Sequence, residues 1–265
     1  MGKSKIEWTD KTWNPITGCT PVSEGCQNCY AARMAKRLAG RCGYPADDPF
    51  KPSTFHADKL EEPLKWKKPS RIFVCSMGDL FHAAVNINPV INVFKIMQTA
   101  KHHTFIILTK RPQSMLEFTD YAVEGSWPDN CWLGVTAENQ QRADERIPIL
   151  LQIPAAVRFV SVEPMLGPVD LTRAMDVAIE VDGDIQVPAV GPMSNWLDWV
   201  ICGGETGPGA RLIQSNWVRN LKDHCVADRV PFFFKHWGSC FEKYHEGVGR
   251  LLDGQEWNQY PEGGK

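Results

Sequence analysis

The sequence predicts an α/β fold, a partial (β/α)6-type TIM barrel, and three observations carry that reading. Six short apolar stretches rich in β-branched and aromatic residues alternate with segments of helical character. The stretches are apolar on both faces, as strands in a helix-covered parallel sheet must be. No G-x-G-x-x-G follows any of them, which removes the dinucleotide-binding version of an open sheet. A length of 265 residues suits a single α/β barrel.

Each element has its own local warrant. YAARMAKRLAG (30–40) combines good helix formers with a closing glycine, Gly40, and a basic face. Residues 41–70 are Pro-rich and irregular, and read as an insertion. RIFVCS (71–76) is the first strand and PVINVFKIMQTAK (89–101) the helix after it. HTFIILT (103–109) is the second strand, followed by KRPQSMLEF; CWLGVTA (131–137) is the third, followed by the polar-faced helix ENQQRADERIPILLQ. VRFVSVE (157–163) and WLDWVICGG (196–204) are the fourth and fifth. SNWVRNLKDHCVA is a helix with Ser215 as its expected N-cap. VPFFFKHW (230–237) is the sixth strand. The barrel then occupies residues 1–240, with a cysteine loop at 13–40 and the insertion at 41–70, and residues 241–265 form an extension packed on it.

Composition narrows the class. Hydrophobic residues make up 43% and charged residues 23%, which excludes disorder and collagen-like repeats. The 29 basic and 31 acidic side chains leave a net charge of −2, so the chain as a whole offers no electrostatic case for a polyanion. No apolar run approaches the ~20 residues needed to span a bilayer. The start, MGKSKIEWTD, lacks the apolar stretch of a signal peptide, so the expected location is the reducing cytoplasm.

Nine cysteines do not suit a disulfide framework in that compartment. Several of the scattered ones, Cys75, Cys131 and Cys202, sit in apolar strands and are expected to pack as small hydrophobes. Cys19, Cys26 and Cys29 differ: they are spaced C-x6-C-x2-C within WNPITGCTPVSEGCQNCYA, a loop rich in Gly, Pro, Ser and Thr. Such a loop can turn its thiolates inward around a metal. The spacing alone suits either zinc, with a fourth ligand from Cys42 or His56, or an iron–sulfur cluster that leaves one iron open.

Chemistry in an α/β barrel sits where strands end. The strand ends here carry Ser76, Asp79 and His82; Thr109, Lys110 and Arg111; Thr136, Glu138 and Asn139; Ser161 and Glu163; Glu205; and Lys235 with His236. Residues 30–71 carry ten basic against five acidic side chains, a local +5, interleaved with Tyr44, Phe50, Phe55 and Trp66. That is the composition of a surface that tracks phosphates and stacks bases, or of a solvated insertion with a few buried rings.

The motifs WNPITGC…GC.NCYA, SM.DLFH, LTKRP, GGE.G.GAR and FFFK.WG together cover roughly residues 6–240. On them the chain resembles the radical S-adenosylmethionine superfamily, in a phage-associated family with this three-cysteine motif. The resemblance implies a radical-SAM-type partial barrel, a 4Fe–4S cluster on Cys19, Cys26 and Cys29, and S-adenosylmethionine bound at the strand ends. Two departures stand out. The superfamily's usual x3 then x2 spacing is x6 then x2 here, with the nearest aromatic, Tyr30, after the third cysteine. The usual Gly-Gly-Glu that receives the cofactor's ammonium is replaced by Ser76-Met77-Gly78-Asp79, where Asp79 is a sensible acceptor.

By the same resemblance, Thr136, Glu138, Ser161 and Glu163 are expected to hold the cofactor's ribose or carboxylate, and Tyr30 to pack on its adenine. Lys110, Arg111, Arg211 and Lys235 are expected to meet an anionic substrate. The expected activity is a 5′-deoxyadenosyl radical acting on a modified nucleobase in phage DNA, such as isomerisation of an amino-acid-substituted thymidine, in the host cytoplasm. A one-electron donor such as flavodoxin or ferredoxin is the implied partner. A radical DNA photolesion lyase is the enzymatic alternative. The alternative of another class is a non-catalytic zinc- or cluster-binding module using Cys42 as well.

Overall fold

In a computed structural model, residues 4, 6–121, 127–176, 179–181, 184–186, 192–245 and 247–262 are described. The chain divides into two compact units, Met1–Leu133 and Gly134–Lys265.

In chain order, the first unit contains β1 (Lys11–Trp13), β2 (Ile16–Thr17), α1 (Tyr30–Leu38), β3 (Thr54–Phe55), β4 (Arg71–Val74), α2 (Ile87–Thr99), β5 (Thr104–Thr109) and α3 (Pro112–Tyr121), and β6 (Cys131–Thr136) begins in it. β1, β4 and β5 pair in parallel, with Trp13 opposite Val74 and Val74 opposite Ile107. β1 is a strand that the sequence reading did not contain. Its three residues, Lys-Thr-Trp, are too short and polar to register as an apolar run. It is held instead by specific bonds to the start of β4. Thr9 Oγ1 donates to the Arg71 carbonyl at 2.8 Å, and Asp10 Oδ2 accepts from the Arg71 backbone N–H at 2.9 Å.

The helices bury the stripes their spacing dictates. α2 turns Val90, Val93, Phe94 and Met97 inward, the i, i+3, i+4, i+7 set. Phe94 meets Trp127 edge-on at 5.5 Å between ring centroids, and Phe118 joins them at 6.1 Å from Phe94. The insertion, expected to be irregular, is short turns and two 3-10 helices, tied back by β3 pairing antiparallel with β2.

The second unit contains α4 (Gln140–Leu151), β7 (Val157–Val162), α5 (Leu171–Met175), β8 (Ile179–Val181), β9 (Asp184–Gln186), β10 (Trp199–Cys202), α6 (Ser215–Ala227), β11 (Phe232–Phe234), α7 (Ser239–Tyr244), β12 (Leu251–Leu252) and β13 (Gln255–Glu256). β7, β10 and β11 pair in parallel and are almost wholly buried, as their both-face apolar composition requires. Asn139 caps α4 by accepting from the Arg142 N–H at 3.0 Å. α6 differs from expectation at its start: Ser215 is already helical, and the N-cap is Gln214, which makes no side-chain capping bond. Part of the segment after residue 240 lies against β11. Phe234 N–H donates to the Trp257 carbonyl and Gln259 N–H to the Phe232 carbonyl, so residues 257–259 run along β11. That covers an edge whose backbone groups would otherwise lie open.

In the first unit the strand order is β1-β4-β5 and in the second β7-β10-β11, and these pairings are all parallel. Consecutive order with helical connections makes this a mixed α/β fold compatible with a partial α/β barrel. Among the described residues, no helix is long and apolar enough to cross a membrane.

Candidate functional site

The cysteine loop is placed by close backbone approach. Gly18 has φ +89, and a Cβ there would lie 1.8 Å from the Lys51 carbonyl oxygen, so no other residue fits. Gly18 bridges in parallel to Gly78, its N–H donating to the Met77 carbonyl at 3.0 Å, which brings the start of the loop beside the end of β4. Cys26 ends a 3-10 turn, and the Cys29 N–H donates to its carbonyl at 3.2 Å. Cys29 is also the N-cap of α1. α1 docks through Ala31 and Ala35, one turn apart, against Tyr44 and Met77, with Cys29 and Met34 packed on the same cluster. Burial of that small apolar face therefore fixes the position of the third cysteine.

At the end of β4 the chain turns sharply. Cys75 has φ +55, in the left-handed region that costs a non-glycine residue about 1–3 kcal/mol. Asn14, of the WNP motif, supports this turn: its Oδ1 accepts from the Met77 N–H at 2.9 Å and from Ser76 Oγ at 3.2 Å. The turn delivers Asp79 into a buried network. Its Oδ1 accepts from the Phe81 N–H at 3.0 Å and Thr109 Oγ1 at 2.8 Å; its Oδ2 accepts from the Lys110 N–H at 3.3 Å and Arg111 Nη1 at 3.0 Å. Arg111 then reaches the cysteine loop. Nη1 lies 3.2 Å from Cys19 Sγ, and Nη2 donates to the Thr20 carbonyl at 2.9 Å and to Thr20 Oγ1 at 3.2 Å. His82 completes the set. Its Nδ1 accepts from the Ala84 N–H at 3.0 Å, so the ring proton sits on Nε2 and faces Thr20 Oγ1 at 2.8 Å.

The charges in this network oppose one another. Burial and then the Asp79 charge push the Cys19 thiol up, and Arg111 offsets this only in part. Burial works against the Arg111 cation, but Asp79 and Cys19 outweigh it and its pKa rises. Burial and then Arg111 push His82 down, in keeping with the neutral tautomer its hydrogen bonds imply.

Cys19, Cys26 and Cys29 are free and partly exposed, which suits them as ligands. Among the described residues, no three His, Cys, Asp or Glu side chains form a group that could hold a metal ion, so joint ligation by these cysteines would require the loop to draw in. Three thiols from one loop are a donor set of the kind that holds a cluster with one open iron, whereas a closed zinc site would need a fourth ligand. His56, one candidate for a fourth ligand, is buried with its Nε2 2.8 Å from Thr17 Oγ1. Cys42, the other, lies exposed in a left-handed turn. The six remaining cysteines divide: Cys75, Cys131, Cys202 and Cys225 are buried as expected of packing residues, whereas Cys42 is exposed and Cys240 partly so.

In the second unit the strand-end polar residues form ion pairs of their own. Glu138 is fully buried, 2.9 Å from Arg146 Nη1, which also donates to the Thr136 carbonyl at 2.8 Å. Ser161 is buried with its carbonyl accepting from the Ala137 N–H. Glu163 lies 2.6 Å from Lys235 Nζ and 3.6 Å from His236 Nε2. Arg211 grips Glu205 with both ends of its guanidinium, Nε at 2.9 Å and Nη2 at 2.5 Å. Arg211 and Lys235, expected to meet an anion, each have a carboxylate partner in place, and Glu138 and Glu163 each have a cation. Any ligand they bind has to share or displace those partners.

Elsewhere in the first unit, Tyr30, the first residue of α1, is 54% exposed. Of the basic stretch, Lys36, Arg37, Arg41, Lys51, Lys65, Lys67 and Lys68 are exposed; of Tyr44, Phe50, Phe55 and Trp66, Tyr44 is buried and only Phe55 is exposed. Asn14, Thr20 and Arg146 are site residues that the sequence reading missed. Asn14 had a local signal, because an Asn preceding Pro in a turn is a ready backbone acceptor. Thr20 and Arg146 had none.

A protein-family model described as "Protein of unknown function (DUF5131)" matches residues 3–261, and the chain belongs to that family. No curated protein and no solved structure matches the chain.

Proposed function

We propose that the protein is a radical S-adenosylmethionine enzyme, with a barrel of that type and a 4Fe–4S cluster on Cys19, Cys26 and Cys29. The observation that carries the proposal is the donor set: three free, partly exposed cysteines from one loop, the first of them 3.2 Å from an Arg111 nitrogen. When bound, such a cluster supplies the single electron used to generate a 5′-deoxyadenosyl radical from S-adenosylmethionine. The chain's own part is positional. Gly18 and Gly78 hold the loop to the end of β4, α1 anchors Cys29 through its apolar face, and Arg111 places a cation beside Cys19.

On this reading Asp79 is the carboxylate that would receive the cofactor's ammonium. With four donors already on its two oxygens, it would receive an ammonium only by sharing with or releasing Arg111. We further propose a modified nucleobase in DNA as the substrate, with isomerisation of an amino-acid-substituted thymidine as the specific reaction. The exposed cations of residues 36–68 support this as a surface that can follow phosphates.

Anaerobic purification and reconstitution with iron and sulfide test the reading. We expect brown charge-transfer absorption, about four irons per chain, and 5′-deoxyadenosine release on adding dithionite and S-adenosylmethionine. One tightly bound zinc and no cluster would overturn it in favour of a structural metal module.

A further inference from the structure

We propose that the Asp79–Arg111 pair is a preformed clamp on the first cysteine. It fastens the Cys19–Thr20 segment to the end of β5, and it sets a positive charge against the Cys19 sulfur once that sulfur is a ligand. The second half rests on the cluster reading above; the first half does not.

The geometry has three layers. Thr109, the last residue of β5, is the fulcrum: its hydroxyl donates to Asp79 Oδ1 at 2.8 Å and accepts from the Arg111 N–H at 2.9 Å. Asp79 is thereby oriented with its second oxygen toward Arg111, and the Lys110 N–H adds a further bond to that oxygen. Both charged side chains are nearly closed to solvent, 7% and 12% exposed, so the pair is screened little by water. Arg111 then spends its remaining donors on the loop: Nη1 on Cys19 Sγ, and Nη2 on both oxygens of Thr20. A planar guanidinium held by a carboxylate at Nη1 presents its other donors in directions set by its plane, which a lysine could not do.

The second cysteine has no such tether described; its sulfur lies 3.8 Å from Ser23 Oγ within its own turn. The third is anchored by helix packing. The loop is thus fastened at both ends, at Cys19 by charge and at Cys29 by apolar contact. The segment between them is what can draw in.

Arg111 is a positioning residue under this proposal, and two measurements on the full-length protein separate its roles. Hydrogen exchange of the metal-free protein, resolved to peptides, reads the clamp. Arg111→Met and Asp79→Asn are expected to speed exchange of the peptide covering residues 18–22 at least ~10-fold while leaving the β5 peptide unchanged. Arg111→Lys, which keeps the charge but loses the fork, is expected to fall between. Unchanged exchange in 18–22 would overturn the clamp. If a variant fails to fold, the β5 peptide exposes it, and Arg111→Lys becomes the deciding protein.

The midpoint potential of the reconstituted protein reads the charge. Arg111→Met is expected to shift it to a more negative value, because a cation and hydrogen-bond donor near a ligand sulfur favour the reduced cluster. Faster exchange with an unmoved potential would reduce Arg111 to a purely structural role and overturn the second half. Failure of the wild-type protein to form a cluster would instead count against the proposed function, and the exchange result would still decide the clamp.

Discussion

Glu138 and Arg146 form an ion pair sealed from solvent, 2.9 Å apart across the turn that leads from β6 into α4. The same guanidinium nitrogen ties back to the Thr136 carbonyl, so one arginine fastens the strand end to the helix. Removing either partner breaks a charge pair in a dry site. Arg146→Met and Glu138→Leu are each expected to lose about 3–5 kcal/mol of stability. The double replacement should lose much less than the sum, since it removes both charges together. Urea unfolding of the three proteins checks this. Near-additive losses would mean that the pair is not coupled.

The elements of the fold were legible wherever a both-face apolar run announced them. β4, β5, β6, β7, β10 and β11 all fall within the stretches read as strands, and α6 spans the expected residues. β1 was not legible, because its place in the sheet comes from bonds to Arg71, sixty residues away, and not from its own composition. The site was legible in its residue types and not in its pairings. Glu138, Glu163, Asp79, Glu205 and Lys235 stand at strand ends as read, yet each meets an opposite charge described in the structure. Arg111 and Asp79 are 32 positions apart, and no local pattern links them. Spacing along a chain locates a polar residue on an element; which polar group answers it depends on how the elements meet.

The buried histidine at the start of β5 makes stability depend on pH. His103 donates from Nε2 to the Pro63 carbonyl at 3.1 Å, and its Nδ1 is buried with no partner in the structure. Burial, then the neighbouring His102, push its pKa below the ordinary 6.5. The folded state therefore holds the neutral ring, and acid must protonate the unfolded chain first. The contribution is fully present above pH 6.5 and is lost as the pH falls from there through the lowered folded value. His56 and His82 are shifted the same way and add to the effect. Urea midpoints are expected to fall between pH 7.5 and pH 5.5, and the fall should be smaller in His103→Gln. An equal fall in that variant would place the dependence in other groups.

Two cysteine replacements separate metal ligands from packing residues. Cys26 is free and partly exposed in the loop, while Cys225 is buried in α6, its thiol held well above its ordinary pKa by desolvation. Cys26→Ala is expected to abolish cluster formation with stability within about 0.5 kcal/mol of the parent. Cys225→Ala should keep the full iron content and lose about 1 kcal/mol of stability through the small cavity it leaves. Iron analysis after anaerobic reconstitution, with thermal melting alongside, tests both. Loss of iron in Cys225→Ala would mean that the ligands are misassigned.

If the exposed cations of α1 and the turn after it follow a nucleic-acid backbone, their number can be read from salt. Lys36, Arg37 and Arg41 are exposed, and no carboxylate is described against any of them. Replacing all three with Gln should weaken single-stranded DNA binding and flatten the plot of log affinity against log salt by about 2, at ~0.7 per lost phosphate contact. Fluorescence anisotropy across a salt series measures the slope. An unchanged slope would remove this surface from any nucleic-acid interface.

Gly18 carries two constraints at once, and a control can separate them. Both Gly18 and Gly254 have positive φ, +89 and +83. A Cβ at Gly254 meets nothing within 4 Å, so Gly254→Ala is expected to cost only the backbone strain, about 1–2 kcal/mol. At Gly18 the same carbon would lie 1.8 Å from the Lys51 oxygen and 2.9 Å from the Phe50 oxygen, both main-chain atoms that cannot rotate away. Gly18→Ala therefore has to push the insertion off the loop, and with it the Cys19 N–H bond to the Phe50 carbonyl. The expected loss is the same strain plus about 1–3 kcal/mol of overpacking. Iron uptake should fall in Gly18→Ala and not in Gly254→Ala, because only the first displaces a cysteine. Equal melting temperatures for the two variants would show that the contact between Gly18 and Lys51 yields easily, and that the loop is not placed by it.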